Sequence, residues 1–370
     1  MAKKVNSVKN YVGIDIGKKN LEVVRLKERG KIERFRCKSE NINSLLNWLT
    51  NEDKIVMEAG NQAFRISKEI KRVLGIESVV LNPSELANIY NSLKKTDKED
   101  ALKLARLVQR IPAEELPVVS VPTDEEEDAR RLSTEQAFWN KQLTQLKNRL
   151  HNIFTQAGLT NVTKKDLSSA KKRKVILNDL PERYRSEVVR LMDQISSVEN
   201  SLKDVEKEIK SYLSSHVDEM GHIFSMPGIG PMTALAIWAY IGDGRRFSKS
   251  KQVTHYVGLV PRVDISGNTV RYGRIKGGCV PIRRCIVQGA WVLVKSTNGG
   301  AIRKFYHRKM YEIGKKKAIV AVARKMIETI YVMLQKKELY QGVSKELLYN
   351  KLKSYGLINN KIMSPGEKNS

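Results

Sequence analysis

The amino-acid sequence predicts an α/β domain with a mixed β-sheet at the N-terminus, followed by a helical arm and a mainly helical C-terminal domain. Three observations predict this order: three strand-like segments in succession, an alternation of strands and helices after them, and long heptad-spaced segments beyond. A chain of 370 residues is long enough for two or three domains. We assign residues 1–123 to the first domain, 124–217 to the arm and 218–370 to the C-terminal domain.

The N-terminal domain opens with a predicted hairpin, YVGIDIGKKNLEVVRL, at residues 11–26. Further strands are predicted at 31–37, 54–59 and 77–83, with helices between the later ones. In open sheets of this kind, ligands bind beyond the carboxyl ends of the strands. Asp15 and Glu58 both fall near such ends, which makes this edge of the sheet the expected place for a site.

Asp15 is the one acidic residue among the apolar residues of the first strand. A carboxylate inside a buried strand costs several kcal/mol unless a cation or hydrogen bonds compensate it. Two explanations follow. Asp15 is a metal ligand, or it caps a backbone turn, because Asp-x-Gly is also a common turn signal. This stretch alone does not choose between them.

A second acidic pair lies in KKTDKEDALKLARLVQR, where the spacing of Thr and Glu predicts the start of a helix. Asp97 and Asp100 are one turn apart and share a face of that helix. Acids in a first turn also stabilise the helix dipole, so this pair alone has an ordinary explanation. Together with Asp15 and Glu58, however, they form a set of oxygen ligands that suits a pair of Mg²⁺ or Mn²⁺ ions in phosphoryl transfer.

The charge of the chain predicts a polyanionic partner. The sequence has 67 Lys and Arg against 40 Asp and Glu, a net charge of +27. This excess is larger than solubility requires, and nucleic acid is the first expectation for the partner. No run of 18 apolar residues exists, and the basic N-terminus lacks a following apolar stretch, which predicts neither a membrane span nor a signal peptide. Three cysteines are too few for a disulfide scaffold and fit a reducing cytoplasm.

The middle of the chain carries two heptad seams. The first comprises Trp139, Leu143, Leu146, Leu150, Ile153 and Ala157, and the second Leu191, Ile195, Val198, Leu202, Val205, Ile209 and Tyr212. They predict an antiparallel helix hairpin, which is either a dimerisation arm or an intramolecular helix pair. The basic segment between them, residues 164–174, is predicted to be a solvated connector.

The C-terminal domain begins with MPGIGP, in which Gly228 and Gly230 precede a predicted helix from Pro231. This pattern resembles a helix-hairpin-helix element, whose glycines let backbone N–H groups approach a DNA phosphate. A Pro-Gly turn between two packed helices is the alternative. Further helices are predicted at 281–296, 300–313 and 316–335, and a basic run at 314–317 is a candidate contact for a DNA backbone. The tail after Asn350 is predicted to be frayed.

Between the Pro-Gly turn and these helices, Ser266 lies in a predicted turn with strand-like flanks. Six basic residues surround it in the sequence: Arg262, Arg271, Arg274, Lys276, Arg283 and Arg284. A Ser-Gly pair is normally only a turn. Arginines, however, stabilise both a nearby alkoxide and a scissile phosphate, so Ser266 is also a candidate covalent nucleophile.

Taken in order, the motifs GIDIG, MEAG, TDKEDA, MPGIGPMTA and GLVPRVDISG resemble those of the DEDD transposases of insertion sequences, the IS110 family. The resemblance covers nearly the whole chain. It implies an RNase H-like, RuvC-like first domain, a coiled-coil arm and a C-terminal transposase domain. It also implies that Asp15, Glu58, Asp97 and Asp100 hold Mg²⁺ and that Ser266 is the catalytic serine.

The same resemblance implies a mechanism and partners. Strand exchange would pass through a phosphoserine link in a composite site of acids and serine. A structured noncoding RNA would bridge donor and target DNA, and the protein would act at the prokaryotic nucleoid as a higher oligomer made of dimers. Family members more often carry a Ser/Thr-Lys-x-Gly run after an Arg-x-Gly-x-Ile element, and RYGRIKGGCVPIRR is shorter here.

Three other functions fit part of the pattern. A metal-only junction resolvase would need the four acids but not Ser266. An actin-like or sugar-kinase-like ATPase also opens with Asp-x-Gly, but it needs a second Gly-rich phosphate loop, which we do not find in the expected context. A non-catalytic nucleic-acid-binding protein would tolerate Asp97→Asn and Glu58→Gln.

Overall fold

The computed structural model describes residues 9–89, 97–261, 263–266, 269–273, 275 and 277–358. They belong to two compact units, Met1–Thr123 and Asp124–Ser370. Among the described residues, no helix is both long enough and apolar enough to cross a membrane.

The N-terminal unit is built on a five-stranded mixed sheet, as predicted. Its strands are β1 (Asn10–Ile16), β2 (Asn20–Leu26), β3 (Ile32–Lys38), β4 (Asp53–Glu58) and β5 (Val79–Leu81). The spatial order is β3-β2-β1-β4-β5. The first three strands pair antiparallel, whereas β4 and β5 run parallel to β1. The carboxyl ends of β1, β4 and β5 therefore meet at one edge of the sheet.

Helices cover both faces of this sheet. They are α1 (Ile42–Trp48), α2 (Ala63–Leu74), α3 (Pro83–Ile89) and α4 (Asp97–Arg110). Alternate residues of β1 point to opposite faces: Val12 and Ile14 pack with α1 and α2, whereas Tyr11 packs with α4. A side chain at Gly13 would place its Cβ 2.0 Å from the carbonyl oxygen of Ala101, so α4 rests directly on the backbone of β1. Glycine is required there for this close packing.

The second unit is mainly helical. Its helices are α5 (Asp124–Gln156), α6 (Ala170–Asn178), α7 (Glu182–Ser215), α8 (Val217–Met220), α9 (Pro231–Ile241), α10 (Ser250–Val257), α11 (Val280–Lys295), α12 (Gly300–Ile313), α13 (Lys315–Lys336) and α14 (Lys345–Ser354). One hairpin, β6 (Val263–Ser266) and β7 (Thr269–Tyr272), lies between α10 and α11.

The long helices α5 and α7 form an antiparallel intramolecular pair. Leu150 near the end of α5 shares a core cluster with Val188 near the start of α7. At the opposite end of the pair, Leu132 and Leu213 belong to a second cluster that also contains α9, α11 and α13. The base of the arm is therefore part of the C-terminal core, and residues 124–217 and 218–370 share one compact unit.

Two expectations for the second unit need correction. Most of the connector at residues 164–174 is exposed, as predicted, but Arg173 of α6 is 1% exposed and donates hydrogen bonds to both carboxylate oxygens of Glu199 and to the carbonyl oxygen of Leu167. The chain beyond Asn350 is also ordered further than predicted. Helix α14 continues to Ser354 and buries Leu352 in the C-terminal core. In both cases a long-range contact decides the structure of a segment whose composition is polar.

Candidate catalytic acids and serine hairpin

Asp15 and Glu58 lie side by side at the carboxyl ends of two parallel strands. The register of β1 and β4 pairs Ile14 with Met57, so the next position along each strand is Asp15 and Glu58. Asp15 projects from the same face as Gly13, the face on which α4 packs. Asp15 is partly buried, and Glu58 is exposed.

Helix α4 directs its first turn toward this edge. Ala101 lies over Gly13, and the later residue Leu104 packs in a cluster beside Tyr11, which is nearer the start of β1. The helix therefore runs antiparallel to β1. Its N-terminal turn, which begins at Asp97, lies toward the end of the strand that carries Asp15.

The structure thus brings Asp15, Glu58 and the first turn of α4 to one edge of the sheet. The Oδ1 atom of Asp100 accepts a hydrogen bond of 2.6 Å from the ammonium group of Lys103. Only the backbone of Asp97 is described. Among the described side chains, no three His, Cys, Asp or Glu residues form a group that could hold a metal ion. Two neighbouring carboxylates nevertheless suit a hard divalent cation such as Mg²⁺, and the four-acid set stays a prediction.

A basic pocket of about 650 Å³ lies at the β1–β2 turn and was not predicted. The residues that line it are Lys18, Lys19, Asn20, Lys38, Ser39, Glu40, Gln62 and Arg65. The guanidinium of Arg65 donates hydrogen bonds to Ser39 O at 3.1 Å and to Gln62 Oε1 at 2.8 Å. Ser39 Oγ in turn donates to the carbonyl oxygen of Gly17 at 3.0 Å. The Lys-Lys pair in the turn was visible in the sequence, but the convergence of Lys38 and Arg65 was not.

The predicted strand before the turn is confirmed, but it extends further than expected, because Ser266, which was predicted within the turn, is the last residue of β6. The register pairs Ser266 with Thr269, so two residues separate the strands. The structure describes only the backbone of Ser266 and Arg271. Three predicted nucleic-acid contacts, Arg262, Arg274 and Lys276, lie outside the described residues.

The chain segments before and after the serine hairpin meet at Gly258 and Gly278. A Cβ on Gly278 would approach the Cα of Gly258 to 2.5 Å, so the two backbones are in direct contact. Arg283 donates hydrogen bonds to the carbonyl oxygens of Gly277, Val257 and Gly258. Its guanidinium therefore holds the base of the hairpin, whereas the neighbouring Arg284 is exposed on α11.

The predicted Pro-Gly turn precedes α9, and its glycines differ in their surroundings. Gly228 has a φ of +83°, and a Cβ on it would lie 2.1 Å from the carbonyl oxygen of Gly289 in α11. Close helix packing therefore accounts for Gly228 within the protein itself. Gly230 is less constrained, with the hydroxyl of Tyr355 3.6 Å from the equivalent position. The approach of either glycine to a phosphate stays a prediction.

Lys351 of α14 fastens the segment before this turn and was missed by sequence reasoning. Its ammonium group donates hydrogen bonds to the carbonyl oxygens of Phe224 at 2.6 Å and Met226 at 3.0 Å. Burial lowers the pKa of Lys351 to about 8. No local signal in the sequence distinguishes this lysine from its exposed neighbours.

Comparisons with known proteins match two parts of the chain. The family model of the DEDD transposases, whose description is "Transposase", matches residues 12–159. A second model, described as the transposase IS116/IS110/IS902 family, matches residues 220–307. The first matched segment contains all four predicted acids, and the second contains the Pro-Gly turn and Ser266. The mixed sheet is compatible with the RNase H-like domain of DEDD enzymes.

Similar proteins are named as transposases and as a DNA-inverting protein. The transposase for insertion sequence element IS1111A of Coxiella burnetii is 27% identical over 89% of this chain and 91% of its own length. The transposase for insertion sequence element IS1328 of Yersinia enterocolitica is 22% identical over 77% of this chain and 84% of its own length. The pilin gene-inverting protein of Moraxella bovis is 27% identical over 69% of this chain and 72% of its own length.

Proposed function

Because this chain belongs to the IS110 family of insertion-sequence transposases, we propose that it excises and inserts DNA by strand exchange through a covalent link between Ser266 and a DNA phosphate. The observation that carries this proposal is the placement of Asp15 beside Glu58, at the edge where the first turn of α4 lies. Paired carboxylates at strand ends suit phosphodiester chemistry on a divalent cation.

In the proposed reaction, the Oγ atom of Ser266 attacks the scissile phosphorus. A bond forms between Oγ and phosphorus, the serine proton leaves, and one bond from phosphorus to a deoxyribose oxygen breaks. That oxygen takes up a proton and becomes a free hydroxyl. A hydroxyl of another strand then loses its proton and attacks the phosphorus of the phosphoserine. A bond from phosphorus to that oxygen forms, the bond from phosphorus to Oγ breaks, and Oγ takes up a proton, which restores Ser266.

The acidic residues have a supporting role in this proposal. Asp15, Glu58, Asp97 and Asp100 would hold Mg²⁺ or Mn²⁺, which neutralises charge on the phosphate when bound. Asp15 lies in a central strand that is paired on both sides, so the position of its backbone is fixed before DNA binds. Preorganisation of this kind lowers the cost of reorganisation in the transition state.

We further propose that donor DNA, target DNA and a noncoding RNA are the partners, in the cytoplasm at the nucleoid. The net charge of +27 supports polyanionic partners. The α5–α7 helix pair is proposed as the arm through which copies of the chain form dimers, and tetramers as dimers of dimers.

A second candidate function is site-specific inversion of a DNA segment. It is favoured by the similarity to the pilin gene-inverting protein of Moraxella bovis. Inversion and transposition use the same cutting and joining steps, so both are compatible with the same acids and serine. The arrangement of the DNA sites would decide which product forms.

The test is to trap the covalent intermediate. The full-length protein is incubated with DNA that carries the element ends, the element's noncoding RNA and Mg²⁺, and adducts are then mapped by mass spectrometry after nuclease digestion. We expect a nucleotide adduct on Ser266 and none with Ser266→Ala or Asp15→Asn. Both variants should still bind nucleic acid with wild-type affinity.

Strand exchange at the wild-type rate by Ser266→Ala would overturn the serine mechanism and favour a metal-only nuclease. Retained activity in both Glu58→Gln and Asp97→Asn would instead favour a non-catalytic binding protein. Ser266→Cys is a useful third variant, because a thiol keeps the size of the nucleophile and tests whether loss of activity reflects chemistry or the turn.

A further inference from the structure

The corner between α12 and α13 presents an exposed tyrosine within a cluster of cations. We define the α12–α13 corner as Lys304, Arg308, Tyr311, Lys315, Lys316 and Lys317. Only Gly314, which has a non-helical φ of +79°, separates the two helices, so the first turn of α13 follows the end of α12 across a sharp change of chain direction. The second matched family segment ends at residue 307, before Tyr311 and the three lysines.

The two faces of α12 have opposite character. Ile302 and Tyr306 are buried in the C-terminal core. Lys304, Arg308 and Tyr311 occupy successive turns on the opposite face and are exposed. Tyr311 is 85% exposed, the largest exposed fraction among the large hydrophobic side chains that the structure describes as exposed.

The cations of the corner have no described acidic partner. Glu312, which follows Tyr311 in the sequence, forms an ion pair of 2.5 Å with Lys309 on the flank of α12. Arg308 lies 5.7 Å from the ring of Phe305, and no ion pair to it or to Lys304 and Lys315–Lys317 is present among the described residues. Exposed cations therefore flank the exposed ring of Tyr311 in the sequence on both sides, with Arg308 one turn before it on the same face of α12 and Lys315–Lys317 after Gly314.

We propose that the α12–α13 corner binds an unpaired stretch of nucleic acid, with a base stacked on Tyr311 and its flanking phosphates on the surrounding cations. An aromatic ring in water gains contact area from the flat face of a base, and base–aromatic stacking tolerates any sequence. Bases within a duplex are stacked on each other, so they leave Tyr311 without a partner. The corner therefore distinguishes single strands from duplexes.

This inference rests on the proposed function, because DNA recombination is what supplies unpaired strands and a structured RNA. The surface recognises chemistry that single-stranded DNA and looped RNA share. The two sources differ in the sugar, so they are separate arms of the test. An acidic protein segment could form ion pairs with the cations but would not stack a flat base on the exposed ring.

The test is fluorescence anisotropy with the full-length protein and labelled single-stranded DNA, single-stranded RNA and duplex DNA of about 16 nucleotides, the upper end of known single-strand site sizes. Tyr311→Ala should weaken binding to single strands by about 5- to 100-fold and leave duplex affinity unchanged. Tyr311→Phe should restore single-strand binding, because the ring is retained. If the wild type binds RNA more tightly than DNA, or the reverse, and Tyr311→Ala loses this preference, the preferred strand is the one that the corner binds.

Charge is tested separately from stacking. The triple variant Lys315→Gln, Lys316→Gln and Lys317→Gln should reduce the slope of log affinity against log salt for single strands by about 2, since each contact contributes about 0.7. The charge-matched control is Lys336→Gln, Lys345→Gln and Lys353→Gln, all exposed elsewhere in the same unit. Phe138→Ala, which removes a half-exposed aromatic ring from α5, is the control for Tyr311→Ala.

Equal loss of single-strand and duplex binding in Tyr311→Ala, or an equal effect of Phe138→Ala, would overturn the assignment. Unchanged binding by Tyr311→Ala would also overturn it. Failure of the proposed function has a different signature. In that case Ser266→Ala keeps strand-exchange activity, and the dependence of single-strand binding on Tyr311 is unaffected.

Discussion

The candidate acids and the candidate serine stand on two different kinds of β-structure. Asp15 belongs to a central strand, which is paired on both sides within a five-stranded sheet and covered by α4. Ser266 ends a strand of four residues in an isolated two-stranded hairpin. A sheet of three or more strands is stable by itself, whereas a lone hairpin is marginal in water. The hairpin therefore depends on its anchor at Gly258 and Gly278.

This difference predicts how each region fails. A change that disturbs the support of Asp15 also disturbs a hydrophobic core, so stability and activity should fall together. A change at Gly258 or Gly278 affects the base of a two-stranded hairpin rather than the middle of a sheet. Activity should fall there with little loss of global stability.

The largest effect is expected for Gly13→Ala. Its Cβ would lie 2.0 Å from the Ala101 carbonyl oxygen, so α4 must move away from β1 and carry its first turn with it. We expect a loss of about 1–3 kcal/mol in the free energy of unfolding of the N-terminal unit and loss of strand exchange. Chemical denaturation and a strand-exchange assay measure the two effects. Gly221→Ala, whose Cβ meets only Val217 at an ordinary 3.4 Å, should be stable and active.

Gly278→Ala tests the region of the serine hairpin. Residue 278 has a φ of +77°, and the added Cβ would approach the Cα of Gly258 to 2.5 Å. The base of the hairpin must then open, and we expect strand exchange to fall at least about tenfold, as for other small displacements of catalytic groups. The free energy of unfolding should fall by only about 1 kcal/mol. A loss of stability as large as that of Gly13→Ala would erase the distinction between the two regions.

Lys351 predicts a pH dependence that is confined to the C-terminal unit. Its pKa is about 8 in the folded chain against 10.5 for an ordinary lysine. Between these pH values the unfolded state binds more protons, so raising the pH stabilises the folded state. The free energy of unfolding should rise by at most about 3 kcal/mol between pH 8 and pH 10.5. Urea denaturation of the wild type and of Lys351→Met at pH 8 and at pH 10.5 measures the contribution of Lys351 to this change in stability. Equal pH dependence in the two proteins would contradict it.

The smallest effect is expected at the basic pocket beside the acids. Lys18→Gln with Lys19→Gln removes two of its cations, and we expect DNA affinity to fall about 3- to 10-fold with a salt slope reduced by about 2. Stability should not change, because both side chains are exposed. Lys71→Gln with Arg72→Gln removes two exposed cations that are paired with Glu77 and Glu69, and serves as the matched control. An equal loss of affinity in the control would mean that only net charge matters.

Much of the fold was predictable because local patterns agree with it. The alternation in the first hairpin and the heptad seams gave correct element types, and α12 agrees in both bounds with the prediction. The predictions for residues 164–174 and for the chain beyond Asn350 departed from the structure for the same reason. Arg173 and Leu352 are buried by contacts with distant parts of the chain, and nothing in their neighbouring residues records those contacts.

The sequence by itself determined which residues are candidates for the chemistry: acids near strand ends, a serine beside a turn, and a large positive charge. Tertiary structure alone decided which of them meet. Asp15 and Glu58 are neighbours because β4 pairs parallel with β1 in one register, and the start of α4 reaches them because Gly13 lets that helix rest on the strand backbone. Register and close packing are contacts between residues far apart in the chain, so their energies exist only once the sheet and its helices have assembled.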